Sequence, residues 1–449
     1  MTRILILCAG LPLAGQNLFQ GSVSRGQATS TPIMLSLQDS IELGLKNNLG
    51  LLTQDNSSRT ARAERLRALS ALLPSVTGSI SETAEQINLA TFGFRFGGVP
   101  SVIGPFGYTD ARVSATATLF DWPARQTLQS EKKNVRASDL LVQDARDLVV
   151  QAVSSAYLQI IASAARAEAT QTQVATAQAL YERARDQHQA GVSPAIDELR
   201  AQVELKTQQQ ILLAQQNQLS KDRLTLARAI GLPAGQVFEI TDAAPYAQLE
   251  GLTPEDMLRR AYESRADYQS LKARIEAAEA ARRAAVAQRY PTLDLTADYG
   301  DIGVNLAHSH GTFGVTGSLK VNIFDGGRIR ANVDQADTVI KQRREELSDL
   351  QGRIDFEVRT ALLDLRSAAD QVEVARSNFD LAAQTLTQAR DRFAAGVTDN
   401  IEVVQAQESV ANAQQSLISG TYAHNLAKVN LAHAVGMAET SLKQFIGGK

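Results

Sequence analysis

The sequence predicts a mostly α fold built twice over, with long antiparallel coiled-coil helices and four strands per chain suited to a small, shared membrane β-barrel. Three observations carry this. The stretch Ala190-Gly191-Val192-Ser193-Pro194-Ala195-Ile196-Asp197 returns as Ala395-Gly396-Val397-Thr398-Asp399-Asn400-Ile401-Glu402, each time between two long runs of helix-forming residues. Twice, a run of strict apolar–polar alternation interrupts the helical pattern. Beyond the N-terminus no stretch reaches the roughly 20 apolar residues of a membrane helix, so a membrane crossing would have to be made by strands.

Each repeated stretch reads as a tight helix reversal, over 190–195 and 395–400. A Gly at a helix end takes the left-handed conformation without a Cβ clash. Pro194 cannot continue the first helix but suits the start of the next.

Composition narrows the class. Of 449 residues only 5% are aromatic, which is low for one large globular core. A net charge of −3 without a basic run speaks against nucleic acid as a partner. Residues 1–28 read as a signal peptide: Arg3 at a basic start, an apolar core from Ile4 to Ala14, and the small residues Gly26 and Ala28 at a cleavage site. Cys8 is the single Cys, and Leu7 before it is too bulky for a lipid-anchor site. The remaining chain, free of Cys, fits an oxidising compartment.

A first structural repeat covers 29–234. Ile41, Leu45 and Leu49 mark a helix over Leu37–Leu72 that Pro74 ends. A strand hairpin over 75–120 follows. Val76, Gly78 and Ile80 alternate with Thr77, Ser79 and Ser81, then Val113, Ala115, Ala117 and Leu119 with Arg112, Ser114, Thr116 and Thr118. Asp121 and Pro123 open a helix with no breaker before Gly191, about 67 residues or roughly 100 Å long. Leu128, Val135, Val142, Val149 and Ala156 lie seven apart along it, as in a coiled-coil packing seam. The return helix runs from Ala195 to Ile230.

After a polar connecting segment, 235–251, a second structural repeat covers 252–437. It has a helix to Gln288, a strand hairpin over 291–324, and a long helix with Val333, Ile340, Leu347, Ile354 and Ala361 seven apart. The turn and return helix follow, then a tail, 438–449. The repeat offset is about 217 residues before the strands and about 205 after them. This places an insertion in the first hairpin, at the Phe92–Gly107 loop. Two short helices end to end match one long one, so each repeat is expected to form a rod with a strand hairpin at one end and a turn at the other.

An apolar strand face can be buried in a sandwich or face lipid, with the polar face, here Arg112, Asp294, Asp298 and Lys320, lining a water-filled lumen. Four strands cannot close a barrel, since small barrels need about eight, and open edges are not tolerated in lipid. Strands in a membrane would therefore have to be pooled from several chains.

From about Leu35 to Gly436 the chain resembles the TolC-like outer-membrane efflux proteins. The resemblance rests on the two Ala-Gly-Val turns with Asp197 and Glu402, the Phe-Asp pairs at 120–121 and 324–325, Leu73-Pro74 and Tyr290-Pro291, and the helix ends Leu226–Gly231 and Leu431–Gly436. It implies a homotrimer with a twelve-stranded barrel in outer-membrane lipid and a helical tunnel in the periplasm. Such a protein is the passive exit duct of an efflux pump or type I secretion system, working with a periplasmic adaptor (a membrane fusion protein) and an inner-membrane transporter. It needs no cofactor and no metal.

The resemblance also implies that the tips Gly191, Val192, Ser193 and Pro194, and Gly396, Val397, Thr398 and Asp399, dock the adaptor. Asp197 and Glu402 match carboxylates of the periplasmic gate. Phe393 replaces a Tyr of the prototype, Thr398 an Arg and Gln405 an Asp, so the closing ties must differ here. A ring of Glu402 carboxylates would favour cations and bind divalent ions. Both acids also suit the first turn of a helix simply by complementing its dipole.

Other features have plainer readings. His308-Ser309-His310 could hold a metal but has no evident third ligand, which favours a solvated loop. Phe92, Phe94 and Phe96 suit either an interfacial aromatic belt or loop packing, and Trp122 is an interface anchor by the same reasoning. No phosphate loop, His-Glu-x-x-His or nucleophile elbow occurs, so an enzyme is not expected. The alternative from another class is a soluble periplasmic coiled-coil adaptor, which leaves the strands without a core. Leu319→Arg separates the two: in a duct it blocks assembly into the outer membrane, measured by fractionation, and in a soluble adaptor it leaves the protein's distribution unchanged.

Overall fold

The computed structural model describes residues 19, 21–93, 97–98, 100–243, 247, 249, 251–395, 397–398 and 400–441. Helices start where side chains can cap them. Ser36 accepts from the Asp39 N–H while the Asp39 carboxylate takes the Ser36 N–H, opening α1 (Leu37–Asn47). Thr253 accepts from the Asp256 N–H ahead of α5 (Pro254–Ser264), which carries Pro in its first turn. The Asp121 carboxylate takes the Ala124 N–H at 2.8 Å in the first turn of α3 (Trp122–Gln189). Asp325 takes those of Gly327 and Ile329 before α7 (Arg328–Ala394). The return helices are α4 (Ala195–Ile230) and α8 (Asn400–Ala434).

The helices expected to run unbroken over 37–72 and 252–288 are each two. One residue leaves the helical conformation: Asn48 (ψ 129°) separates α1 from α2 (Leu49–Ser70), and Arg265 (ψ 118°) separates α5 from α6 (Ala266–Ala287). At each break a side chain satisfies a carbonyl that the return helix leaves over at its end. Asn47 donates to the Ile230 carbonyl at 3.0 Å, and Arg265 to that of Ala434 at 3.3 Å.

The chain divides into two compact units. One holds Met1–Ser57, Asp139–Gln269 and Ser348–Lys449; the other holds Ser58–Ser138 and Ser270–Leu347. The second unit contains an antiparallel sheet of β2 (Ser75–Asn88), β3 (Val102–Phe120), β5 (Thr292–Gly303) and β6 (Ser309–Lys320), in that order, so β2 and β6 are its edges. The register aligns Gly78 with Val113, Val113 with Tyr299, and Tyr299 with Phe313, making one continuous apolar face across four strands. On the opposite face Arg112 pairs with Asp298 and reaches Asp110 at 3.3 Å and Thr312 at 3.1 Å. The first hairpin's extra length is shared between the turn, where 89–101 answers 304–308, and the ladder, which takes in the far part of the expected Phe92–Gly107 loop. β2 and β3 have 14 and 19 residues against 12 and 12 for β5 and β6, and Ile103 already pairs with Ile87. Within this unit α3 packs on α6, with Ser130 donating to the Ala277 carbonyl and Ser270 to that of Ala137.

The first unit holds two further strands, so among the described residues the expected four become six. β1 (Ile33–Leu35) pairs in parallel with β4 (Phe238–Ile240), inside the segment read as a polar connection. Residues 21–31 are hydrogen-bonded into this unit as well: the Val23 N–H reaches the Asn47 carbonyl at 2.9 Å and the Thr29 N–H the Gln236 side chain at 2.8 Å. The signal-peptide boundary expected at residue 28 therefore falls inside a hydrogen-bonded segment.

The buried ridge of α3 runs Val149, Val153, Tyr157, Ile160, and that of α7 Ile354, Val358, Leu362, Leu365. Burial also continues at the expected spacing of seven, at Ile354, Ala361, Ala368, Ala375, Ala382 and Ala389 on α7 and at Ser163, Thr170, Ala177 and Ala184 on α3. Val142 and Leu347 of the expected seams are only half-buried. Arg265 is buried and ion-paired with Asp267 at 2.8 Å and Glu357 at 2.5 Å. The chain passes so close that a Cβ on Gly436 (φ 72°) would lie 2.7 Å from the Arg265 Cα, leaving Gly as the residue that fits.

Beside this cluster, burial and then the nearby Asp267 carboxylate push the Asp144 carboxyl up to about 6. The unfolded chain ionises this group first, so its contribution to stability is fully present below the unfolded value, 3.8, and is lost as pH rises through about 6. Asp144→Asn removes that loss. The variant is expected to match the parent below about pH 4 and to exceed it by about 1–3 kcal/mol above pH 7, measured by denaturant unfolding across pH. An equal difference at both pH values would contradict this.

Candidate functional site

The two helix reversals carry most of the residues singled out from the sequence. At the first, α3 ends with the Val192 N–H on the Gln187 carbonyl and the Gly191 N–H on that of His188, both at 2.9 Å. Gly191 has φ 73°, the left-handed value such an ending needs. Pro194 sits extended ahead of α4, and Asp197 in the first turn lies 3.6 Å from Arg200. Ser193 offers its carbonyl to the His188 ring at 3.2 Å. The second reversal repeats the pattern, with the Val397 N–H on the Arg392 carbonyl at 3.0 Å. Gly396 and Asp399 lie outside the described residues. Val192 and Val397 are exposed, so each reversal presents an apolar side chain at its apex.

Around the second reversal the structure gathers Phe393, Thr398 and Glu402. The Arg392 guanidinium lies 2.9 Å from the Glu402 carboxylate, and the Thr398 hydroxyl donates to the other carboxylate oxygen. Phe393 packs on a small core of Ala389, Val403 and Ala406, with Leu180 and Leu386. The Arg183 guanidinium stands 5.2 Å above its ring centroid, tying α3 to α7. Gln405 lies apart from this group. It lines a groove of about 480 Å³ between the starts of α4 and α8, with Ile196, Leu199, Val203, Ile401 and Val404.

Sequence reasoning missed Arg183 and Arg392. Arg392 was within reach of it: in a helical hairpin, residues equidistant from the apex stand level, and Arg392 and Glu402 are five residues either side of Val397. The Arg183–Phe393 stack spans two hairpins and left no such mark. Glu402 thus meets a cation of its own hairpin, which offsets the cation preference expected of a bare carboxylate ring.

The other candidates are separate from this group. His308 has a ring nitrogen 2.9 Å from the Asn305 side chain, and His310 sits on β6 opposite Ile302. Phe92 is exposed, Phe94 and Phe96 lie outside the described residues, and Trp122 stands beneath Arg125. The apolar sheet face is bare: Val76, Ile80, Val113, Tyr299, Phe313, Val315 and Leu319 are all exposed.

Comparison with known proteins agrees with this geometry. The sequence matches the profile of the outer membrane efflux protein family over residues 40–232 and 257–437, and the chain belongs to that family. It is 25% identical over 430 residues to the probable efflux pump outer membrane protein TtgC of Pseudomonas putida, covering 89% of this chain and 83% of that one. It is equally 25% identical to the pyoverdine export outer membrane protein OpmQ of the same species, covering 89% and 85%. The fold matches the crystal structure of the Campylobacter jejuni CmeC outer membrane channel with a TM-score of 0.76 at 18% identity, covering 97% of both chains. The protein is thus an outer-membrane efflux component, the exit duct of its pump, in a family of channels rather than enzymes. The soluble adaptor reading is set aside.

Proposed function

We propose that three copies of this chain pool their sheets into one twelve-stranded barrel in outer-membrane lipid, continued by a periplasmic tunnel of helices. The observation that carries this is the sheet itself. A four-stranded sheet with a bare apolar face and two open edges fits lipid only when the edges are paired. Each chain is read as a two-fold structural repeat, supported by its element lengths. Helices of 11, 22, 68 and 36 residues are answered by helices of 11, 22, 67 and 35.

The duct works with a periplasmic adaptor and an inner-membrane transporter. The adaptor docks on the reversals at Gly191, Val192, Ser193 and Pro194 and at Gly396, Val397, Thr398 and Asp399, where exposed valines give an apolar foothold. Relatives that bear the names of an efflux pump component and a pyoverdine exporter are similar in sequence throughout. Choice of cargo is therefore assigned to the transporter rather than the duct.

The gate is the group around Phe393 and Glu402, with Asp197 and Gln405 at the neighbouring helix starts. The Arg183–Phe393 stack, which spans two hairpins, replaces the ties that the prototype makes with Tyr, Arg and Asp, while the Arg392–Glu402–Thr398 contacts shape the tip of one hairpin. Such a stack contributes about 1 kcal/mol. Over three chains the sum is about 3 kcal/mol, enough to hold a closed state yet within reach of what a docking partner can shift. The double variant Arg183→Ala with Arg392→Ala is expected to raise single-channel conductance in planar bilayers several-fold. Unchanged conductance would show that the gate is held elsewhere, and no conductance from either protein would overturn the duct.

A further inference from the structure

The two ends of the four-stranded sheet differ in charge. The ten residues on the helix side of each strand are 65–74, 121–130, 282–291 and 321–330. They hold eight Arg and only two acids, Asp121 and Asp325. At the far end the reverse holds. Among the described residues, 80–110 and 299–311 carry Glu82, Glu85, Asp110 and Asp301 and no Lys or Arg.

Neighbouring acids account for part of the excess at the helix end. Arg67 is paired with Glu64 at 3.0 Å, Arg282 with Asp337 at 2.5 Å and Arg330 with Asp334 at 4.0 Å. Arg328 lies near Asp325. Both acids of the zone are themselves engaged by helix N–H groups, Asp121 by that of Ala124 and Asp325 by those of Gly327 and Ile329. Arg65, Arg125, Arg283 and Arg289 are exposed and make no ion pair among the described residues. Arg65 stands ten residues from its strand, whereas the other three gather around two exposed aromatic residues, Trp122 and Tyr290. The Arg125 guanidinium lies 5.7 Å from the Trp122 ring centroid. Arg283 of α6 donates to the Gln126 side chain of α3 at 3.2 Å, which sets it level with Arg125 on the neighbouring helix. Arg289 adjoins Tyr290 directly.

Height agrees with charge. Exposed aromatic residues mark both limits of the apolar face, Trp122, Tyr290 and Phe324 near the helices and Tyr299 and Phe313 at the far end. From Tyr290 to Tyr299 the chain advances nine residues. That is about 30 Å of extended chain, or about 22 Å across a membrane at a strand tilt of about 40–45°, close to the apolar band of about 25 Å that lipid-facing barrels show. Asp301 follows at the far limit, and the three arginines stand at the near one.

We propose that Arg125, Arg283 and Arg289 bind the phosphate groups of anionic phospholipids in the membrane leaflet that faces the periplasm, with Trp122 and Tyr290 at the boundary of the acyl chains. A guanidinium presents a planar fork of donors that matches phosphate oxygens. Basic residues beside an anionic lipid surface are attracted to it, and Trp and Tyr suit the same depth because one end of each ring is apolar and the other polar. The far end has acids and no such cations, so this preference belongs to one leaflet. The inference rests on the reading that the sheet lies in outer-membrane lipid.

The test offers the full-length, detergent-extracted protein an equimolar mixture of phosphatidylglycerol and phosphatidylcholine. Retained lipid is measured by mass spectrometry after gel filtration. The expected result is a several-fold enrichment of the anionic phosphatidylglycerol. It falls to near parity in the triple variant Arg125→Gln, Arg283→Gln and Arg289→Gln, and persists in the control Lys206→Gln, Lys221→Gln and Arg390→Gln, whose exposed cations lie far along the chain from the sheet. Equal retention of both lipids by the parent, or an enrichment that the triple variant keeps, would overturn the site and leave the duct standing. A protein that retains neither lipid would overturn the reading of a sheet in lipid as well.

Discussion

An apolar sheet face with no second layer is the constraint on which the molecule turns. Val76, Ile80, Val113, Tyr299, Phe313 and Leu319 share a continuous surface that nothing among the described residues covers. Removing such side chains from water is worth about 25 cal/mol per Å², and a soluble chain would forgo that gain at every one of them. Lipid supplies the cover but forbids unpaired backbone, and β2 and β6 have unpaired edges. Neither requirement can be met by one chain. The polar face agrees with a watery interior, since Arg112, Asp110 and Asp298 are linked across strands there rather than buried.

The helical unit meets a different problem, that of ending long helices cleanly. α4 and α8 finish against the single-residue breaks at Asn48 and Arg265, where side chains take up leftover carbonyls. The Arg265 break is the more demanding, for a buried guanidinium is tolerated only when its partners are in place. Asp267, Glu357 and the Ala434 carbonyl supply them. At the opposite end of these helices the ion pairs Asp197–Arg200 and Glu402–Arg392 are partly exposed.

Much of the architecture was legible in the sequence because it rests on periodicity and breakers. The change from helical to alternating pattern at Val76 and Leu293, and the reversals at Gly191 and Gly396, follow from local chemistry. What escaped was short or long-range. A one-residue break leaves the helical period almost intact, so Asn48 and Arg265 leave no mark on the local pattern. Strands of three residues, Ile33–Leu35 and Phe238–Ile240, are too brief to alternate, and their pairing spans about 205 residues, far beyond any local pattern. The heptad seams hold along most of the long helices, with Val142 and Leu347 only half-buried. At the reversals the acids Asp197 and Glu402 are legible as first-turn residues, whereas Arg392 meets Glu402 only once the hairpin has closed. Arg183 reaches Phe393 only through the fold.

The most direct test of the central claim is the mass of the membrane-extracted protein in mild detergent, corrected for bound detergent. The account predicts a stable trimer, about three times the 48.4 kDa of the full chain, confined to the outer-membrane fraction. A monomer in the soluble periplasmic fraction would contradict it, since one chain can neither cover its apolar sheet nor pair its edges.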